Sequence, residues 1–285
     1  MGHGLNDLVA SALREDLGFG DVTTDLTVPA GTPGRASIRA REPMVLSGLA
    51  PAMAAFGLVD PALSLRALAA DGDSLAAGAA ALTVEGQARS ILKAERVALN
   101  FMGRLSGVAT LTARYVSASR LPGGGGPRIL DTRKTTPGLR ALEKAAVRHG
   151  GGHNHRFSLG DGILIKDNHL MAAGGVATAL GLAKAGAPHT LRIEVEVDTL
   201  DQLREALAHG ADAVLLDNMG PGTLREAMSI IGAFYAPGPR RTLAEASGGV
   251  NLGTVAAIAA SGVDFISVGA LTHSAPAADL GLDWE

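Results

Sequence analysis

Six short apolar runs in the second half of the chain each lead into residues that can do chemistry. The first is followed by Asp131-Thr132-Arg133-Lys134 and the second by Lys166-Asp167-Asn168-His169. The third carries Glu194, Glu196 and Asp198, and the fourth ends in Asp217-Asn218. The fifth ends in Glu245-Ala246-Ser247-Gly248-Gly249, and the sixth in Gly269, ahead of Thr272 and His273. Glu194, Glu196 and Asp198 are spaced i, i+2, i+4, so an extended strand turns all three to one face. Three carboxylates gathered inside a protein repel and are costly to desolvate unless cations neutralise them. Glu196 and Asp217, near two strand ends, are the pair expected to hold magnesium, which takes hard oxygen ligands from one or two carboxylates and completes its shell with phosphate. Glu194 and Asp198 read equally well as salt-bridged structural carboxylates.

Arg133, Lys134, Arg156 and Lys166 form the opposite pole. Arginine grips a carboxylate in a planar, bidentate way, while lysine is a point charge suited to phosphate. Arg140, Lys144 and Arg148 share one helix face and read as a solvated basic surface. His149, His153 and His155 suggest a metal site, but no carboxylate or further histidine follows at a recognised ligand spacing. His155 beside Arg156 suits a hydrogen bond to an anionic substrate better. Ser247-Gly248-Gly249 and Val268-Gly269-Ala270 offer backbone N–H groups ahead of helices, the usual phosphate site of a barrel. A glycine needed only for a tight turn is the alternative.

The elements that must position these residues follow from periodicity. Strand-like runs at 128–130, 163–165, 192–197, 213–216, 242–244 and 264–268 are mostly separated by helical patterns, as at 200–208, 223–231 and 252–260. That alternation means βαβ units and a parallel sheet. No Gly-x-Gly-x-x-Gly turn follows the first strand and no Walker sequence occurs, which weakens a Rossmann or P-loop reading. The fold expected is α/β, a six- or seven-stranded α/β barrel preceded by an N-terminal α+β open-sheet domain. In such a barrel the carboxyl ends of the strands line one mouth, where active sites are built. The preceding part shows a helix at 5–17, alternating runs at 36–40, 63–68 and 81–84, and a long helical stretch at 88–119 that Gly103 and Gly107 are expected to bend or break. Gly123-Gly124-Gly125-Gly126-Pro127 reads as a flexible joint, giving domains of 1–120 and 121–285.

Composition narrows the classes. Apolar residues make up 47% and charged residues 19% of the 285, with 38 glycines, a globular composition. A net charge of −3 lacks the basic field of a general nucleic-acid binder. With no cysteine, disulfides and thiolate metal sites are excluded. No run of about 18 apolar residues suggests a membrane span. The opening Met1-Gly2-His3-Gly4 lacks the basic and apolar regions of a signal peptide, so the cytoplasm is the expected location.

Asp131-Thr132-Arg133-Lys134-Thr135-Thr136-Pro137-Gly138-Leu139-Arg140 resembles the signature of the quinolinate phosphoribosyltransferases. So do Gly150-Gly151-Gly152-His153-Asn154-His155-Arg156, Leu164-Ile165-Lys166-Asp167-Asn168-His169, Glu194-Val195-Glu196-Val197-Asp198 and Leu215-Leu216-Asp217-Asn218. Glu245-Ala246-Ser247-Gly248-Gly249-Val250 and Ser267-Val268-Gly269-Ala270-Leu271-Thr272-His273-Ser274 match as well. Glu15-Asp16-Leu17-Gly18-Phe19-Gly20-Asp21-Val22-Thr23-Thr24 and Ala94-Glu95-Arg96 extend the resemblance over the whole chain. A related family linked to molybdenum transport shares the barrel and the Asp-Thr-Arg-Lys run, but not the Asn-His-Arg and Lys-Asp-Asn-His sets together, and both are intact here.

The resemblance implies an enzyme that joins quinolinate to phosphoribosyl pyrophosphate with loss of carbon dioxide, giving nicotinate mononucleotide for NAD biosynthesis. It implies a homodimer with shared active sites, each N-terminal domain covering the other subunit's barrel mouth, and leaves open assembly into hexamers. Arg133, His155, Arg156, Lys166 and Arg96 of the partner subunit would hold quinolinate's carboxylates. Lys134 and Lys166 would approach the pyrophosphate. Glu196 and Asp217 would meet the ribose hydroxyls and a magnesium–pyrophosphate, and Ser247, Gly248, Gly269 and His273 the 5′-phosphate. Two other readings are a Schiff-base aldolase using Lys166, and a non-catalytic barrel that binds a phosphorylated ligand.

Overall fold

The structure, a computed structural model, describes residues 4–236, 238 and 242–285. Met1-Gly2-His3, read above for a leader, lies outside the described residues. The chain forms two compact units: Met1–Ala113 with Thr135–Gly151 and Thr272–Glu285, and Arg114–Lys134 with Gly152–Leu271.

The first unit opens with α1 (Leu5–Leu17) and α2 (Val22–Thr27), the latter capped by Asp21, whose side chain accepts from Thr24 N–H at 2.9 Å. Then come β1 (Pro33–Ala40), β2 (Met44–Val45), α3 (Leu49–Val59), β3 (Ser64–Ala67), β4 (Ser74–Leu75), β5 (Ala80–Gln87) and α4 (Ala88–Ala118). The predicted runs at 36–40, 63–68 and 81–84 become β1, β3 and β5 of an antiparallel sheet whose order is β12-β1-β5-β3, where β12 is Leu280–Trp284. That last strand was not expected from the sequence. Its five residues pair with β1 from Ala36↔Trp284 to Ala40↔Leu280. One core fills the unit, with Ile38, Leu46, Phe56, Leu82, Ile91 and Met102 fully buried.

α4 is one unbroken helix of 31 residues, so Gly103 and Gly107 do not interrupt it. They are there for space. Ala278 N–H donates to Gly103 O at 2.9 Å, and a Cβ on Gly107 would stand 1.9 Å from Pro276 O. The chain therefore crosses α4 where only glycine admits it. α5 (Arg140–His149) completes this unit's helices up to the glycine loop. Lys144, expected on a solvated face, is 1% exposed and shares the buried side of α5 with Glu143 and Val147.

The second unit is the α/β part. Its strands are β6 (Arg128–Leu130), β7 (Ile163–Ile165), β8 (Ile193–Val197), β9 (Ala213–Asp217), β10 (Leu243–Ser247) and β11 (Phe265–Ser267). The helices between them are α6 (Asp167–Ala173), α7 (Val176–Gly186), α8 (Leu200–Ala208), α9 (Pro221–Phe234) and α10 (Val255–Ala259), and α11 (Ala270–His273) follows β11. All six strands are parallel, in the order β6-β11-β10-β9-β8-β7. Chain order thus runs around the sheet and the sixth strand returns to the first, the topology of a six-stranded barrel. Its seam lies between β6 and β7, where the loop supplies a single parallel bridge, Leu130↔His153. Val195 and Val197 are fully buried under the helices, while Glu194 and Glu196 alternate with them on the other face, as the spacing predicts. The glycine run 123–126 is a turn with all four φ angles positive, tied by Gly124 N–H to Leu121 O at 3.1 Å. No helix among the described residues is long and apolar enough to cross a membrane.

Candidate active site

The carboxyl ends of the six strands carry the residues singled out above. β6 leads into Arg133 and Lys134, the β6–β7 loop carries His155 and Arg156, and β7 leads into Lys166. β8 and β9 contribute Glu196 and Asp217, β10 ends in Ser247 with Gly248 next, and Gly269 follows β11. Arg96 and His273 belong to the other unit. Arg96 is an exposed residue of α4, and His273 places Nδ1 2.6 Å from Ser274 Oγ.

The carboxylates and cations pair as their charges require. Lys166 Nζ donates to Glu196 Oε2 at 2.6 Å. Burial raises Asp217, and the negative charges of Glu196 and Asp198 raise it further against the pull of Lys166 and of Asn218, whose amide donates to Asp217 Oδ2 at 2.5 Å. A carboxylate crowded by two others is short of positive charge, which makes this all-oxygen set fit magnesium. Asn218 holds φ 54°, the single non-glycine among the described residues with positive φ. Its backbone N–H donates to Ser247 O at 2.9 Å. A Cβ on Gly248 would stand 2.1 Å from Asn218 Oδ1, so close approach, together with a φ of +87°, already requires glycine there.

Arg156 lies on the cation side. Burial lowers its pKa and the neighbouring Arg133 lowers it further. Its Nη1 donates to Gly162 O at 3.0 Å, which fixes the side chain along the loop. The loop itself is pinned by Asp131, fully buried at the end of β6. Asp131 Oδ1 accepts from His155 N–H at 2.9 Å and Oδ2 from the Asn154 amide at 2.6 Å.

His155 turns away from the loop into the barrel. Its Nε2 lies 3.4 Å from Glu194 Oε2 and 3.6 Å from Glu245 Oε2. Among the described residues this is the group of three whose potential ligand atoms fall within 4.8 Å of one another, rather than the three loop histidines. It does not suit a metal ion. His155 Nδ1 accepts from Arg156 N–H at 2.7 Å, so Nε2 carries the ring proton, whereas a ligating histidine donates its other N–H outward. Two effects oppose at this ring. Burial lowers the imidazole, and the Glu194 hydrogen bond with the Glu245 and Glu194 charges outweighs burial and raises it, whereas the Arg156 amide requires an unprotonated Nδ1. The 2.7 Å hydrogen bond favours an unprotonated Nδ1.

Glu245 is 3% exposed, and burial together with the Glu194 charge pushes it up to about 8. Sequence reading gave it no role. The available signal was its place two residues before Ser247 on one strand, hence on the same face. A carboxyl raised above its ordinary 4.5 makes the folded state bind more protons than the unfolded chain. Stability should therefore be highest below that ordinary value and fall as pH rises toward about 8, by up to ~1.4 kcal/mol per pH unit. Glu245→Gln should flatten this slope and be the more stable form at the alkaline end. Thermal melts of both proteins across that range check it, and parallel slopes would contradict the assignment.

The Schiff-base reading loses its ground here. Lys166 is 45% exposed and held by Glu196, whereas an imine-forming lysine is activated by an apolar pocket or a second cation.

Known proteins are similar to this chain over nearly its whole length. Residues 108–283 match the family described as quinolinate phosphoribosyl transferase, C-terminal domain, and residues 21–106 its N-terminal domain. A nicotinate-nucleotide pyrophosphorylase (carboxylating) of Mycobacterium leprae is 46% identical over 280 residues, covering 97% of this chain and 96% of that protein. A mitochondrial quinolinate phosphoribosyltransferase (decarboxylating) 2b of Nicotiana tabacum is 40% identical over 98% of this chain and 81% of its own length. The solved nicotinate-nucleotide pyrophosphorylase of Francisella tularensis superposes with a TM-score of 0.91 at 39% identity, covering 99% of this chain and 96% of that one. With both domains matched in order and near-complete coverage on each side, the chain belongs to the quinolinate phosphoribosyltransferase family.

Proposed function

We propose that this chain is a decarboxylating pentosyltransferase that moves the phosphoribosyl group of phosphoribosyl pyrophosphate to quinolinate, a step of de novo NAD biosynthesis. The products are nicotinate mononucleotide, pyrophosphate and carbon dioxide. One observation supports it above the others: Arg133 sits close enough for its charge to lower the pKa of Arg156, a pairing of cations that is the counterpart of a ligand with two adjacent carboxylates.

Arg133, His155, Arg156, Lys166 and Arg96 of the partner subunit bind the dicarboxylate and aim its ring nitrogen at ribose C1, which supplies proximity. The C–N bond forms as the bond from C1 to pyrophosphate breaks. Lys134 and Lys166 then meet the negative charge that grows on the leaving group with donors already in place. Glu196 and Asp217 would hold magnesium, which supplies neutralising charge to the pyrophosphate. Ser247, Gly248, Gly269 and His273 hold the 5′-phosphate. Once the nitrogen is alkylated, the cationic ring accepts the electron pair left by the departing carboxylate, and the ring carbon takes a proton from solvent. No protein nucleophile is needed.

The test is direct: supply quinolinate and phosphoribosyl pyrophosphate and assay for nicotinate mononucleotide. A protein that binds phosphorylated ligand but makes no product would be the non-catalytic barrel. Activity should vanish on chelating divalent metal and return with magnesium, and the Glu196 and Asp217 double alanine variant should need more of it. Full activity in excess chelator would remove the metal from this reading.

We place the enzyme in the cytoplasm as a homodimer with shared sites. Arg96→Ala and Lys134→Ala, each inactive alone, should complement when mixed after reversible dissociation. Equal mixing makes about half the dimers heterodimers, and each would hold one site with neither lesion, so roughly a quarter of all sites should recover. If Arg96 serves its own subunit, mixing restores nothing even though subunits exchange.

A further inference from the structure

Glu143 is fully buried on α5 and accepts hydrogen bonds through both carboxylate oxygens. Its Oε1 takes Arg104 Nε at 3.0 Å, Arg104 Nη2 at 2.7 Å and Thr136 Oγ1 at 2.7 Å. Its Oε2 takes Thr136 N–H at 3.0 Å. Arg104, on α4, spends its remaining donors on another segment, with Nη1 on Ala275 O at 2.9 Å and Nη2 also on Thr272 O. One guanidinium and one carboxylate therefore tie together α4, α5, the loop at Thr136 and the segment from Thr272 to Ala275.

The two tied loops are the ones that matter for phosphate. Thr136 is two residues beyond Lys134, and His273 lies between the two carbonyls that Arg104 holds. A buried ion pair adds little net stability, because desolvating both charges offsets their attraction. What it supplies here is registry: a planar fork satisfied on both edges admits one arrangement of its partners. A single-point lysine cannot reproduce it.

We propose that Arg104 and Glu143 are positioning residues for phosphoribosyl pyrophosphate, setting the Lys134–Thr136 loop and the His273 loop together. This rests on the reading given above, in which Lys134 meets the pyrophosphate and His273 the 5′-phosphate. Of the residues that hold quinolinate in that reading, Arg133 adjoins Lys134, while His155, Arg156 and Lys166 stand on other segments than the four tied here. Loosening the pair should therefore act on one substrate and spare the other. A misplacement of about 1 Å can cost on the order of a hundredfold in rate.

Steady-state kinetics of Arg104→Met, Arg104→Lys and Thr136→Val, with melting temperatures, test it. Arg104→Met should lower kcat/KM for phosphoribosyl pyrophosphate about ten- to a hundredfold, with KM for quinolinate unchanged within roughly twofold. Arg104→Lys should recover part of the loss, since the charge returns without the fork. Thr136→Val removes one hydroxyl without changing volume, and should give a smaller loss on the same substrate even if Arg104→Met does not fold. Parallel losses on both substrates, or a lower melting temperature with both KM values intact, would overturn the proposal while leaving the reaction assignment standing. A wild-type protein that forms no nicotinate mononucleotide would overturn that assignment, and this inference with it.

Discussion

Gly107→Ala is expected to destabilise the protein by about 3 kcal/mol, near the upper end for overpacking. The added methyl would stand 1.9 Å from Pro276 O and 3.0 Å from the same residue's carbonyl carbon. Neither neighbour is the loose tip of a flexible side chain. Both are backbone, so the segment from Thr272 onward has to move, and with it the carbonyls that Arg104 holds. The melting temperature should fall on the order of 10 °C. Gly57→Ala is the matched control. It also lies inside a helix, α3, but a Cβ there meets nothing within 4 Å, so its higher helix propensity should make it neutral or slightly stabilising. Equal melts for the two variants would mean that the approach at Gly107 carries no energy.

Arg156→Ala and Arg133→Ala should each raise KM for quinolinate roughly ten- to a hundredfold and leave KM for phosphoribosyl pyrophosphate nearly unchanged. On the proposed reading each would remove a charge-assisted hydrogen bond to a carboxylate, about 1.5–3 kcal/mol, at a factor of ten per ~1.4 kcal/mol. Lysine at either position should recover little, because the planar fork rather than the charge matches a carboxylate. Comparable losses on both substrates would mean that the arginines serve the phosphates instead. The contrast with Arg104→Met, whose effect falls on the other substrate, makes the three variants one experiment.

The barrel was legible in the sequence because each parallel strand is a short apolar run whose carboxyl end turns abruptly polar. Glu194, Glu196 and the valines between them show the alternation in five residues. The first helix was legible for a similar reason, since its apolar spacing and the glycines after it mark both face and end. Burial of charge is not legible in the same way. Lys144 and Glu143 look like helix surface, and only the fold shows that a charged residue from another helix reaches one of them. Glu245 drew no role because the apolar run reads as ending at residue 244, which leaves it among the strand-end residues rather than inside β10. Gly103 and Gly107 read as helix breakers because propensity is local, while the chain they admit lies some 170 residues further on. β12 is five residues long, with Asp283 inside it and an acid on either side, too brief to stand out alone.

That strand orders events during synthesis. Ser37, in β1, and Glu285, which it bonds at 2.5 Å, are 248 residues apart. At ~5–20 residues per second, a ribosome needs roughly 10–50 s to travel from one to the other. β5 can join β1 early, since it follows within fifty residues, but the opposite side of β1 stays an unpaired ladder of N–H and C=O groups throughout that interval. Such an edge invites pairing with a neighbouring nascent chain. The first unit to emerge is therefore the last to be finished, and chaperone demand should peak on its open edge while the parallel sheet is being made.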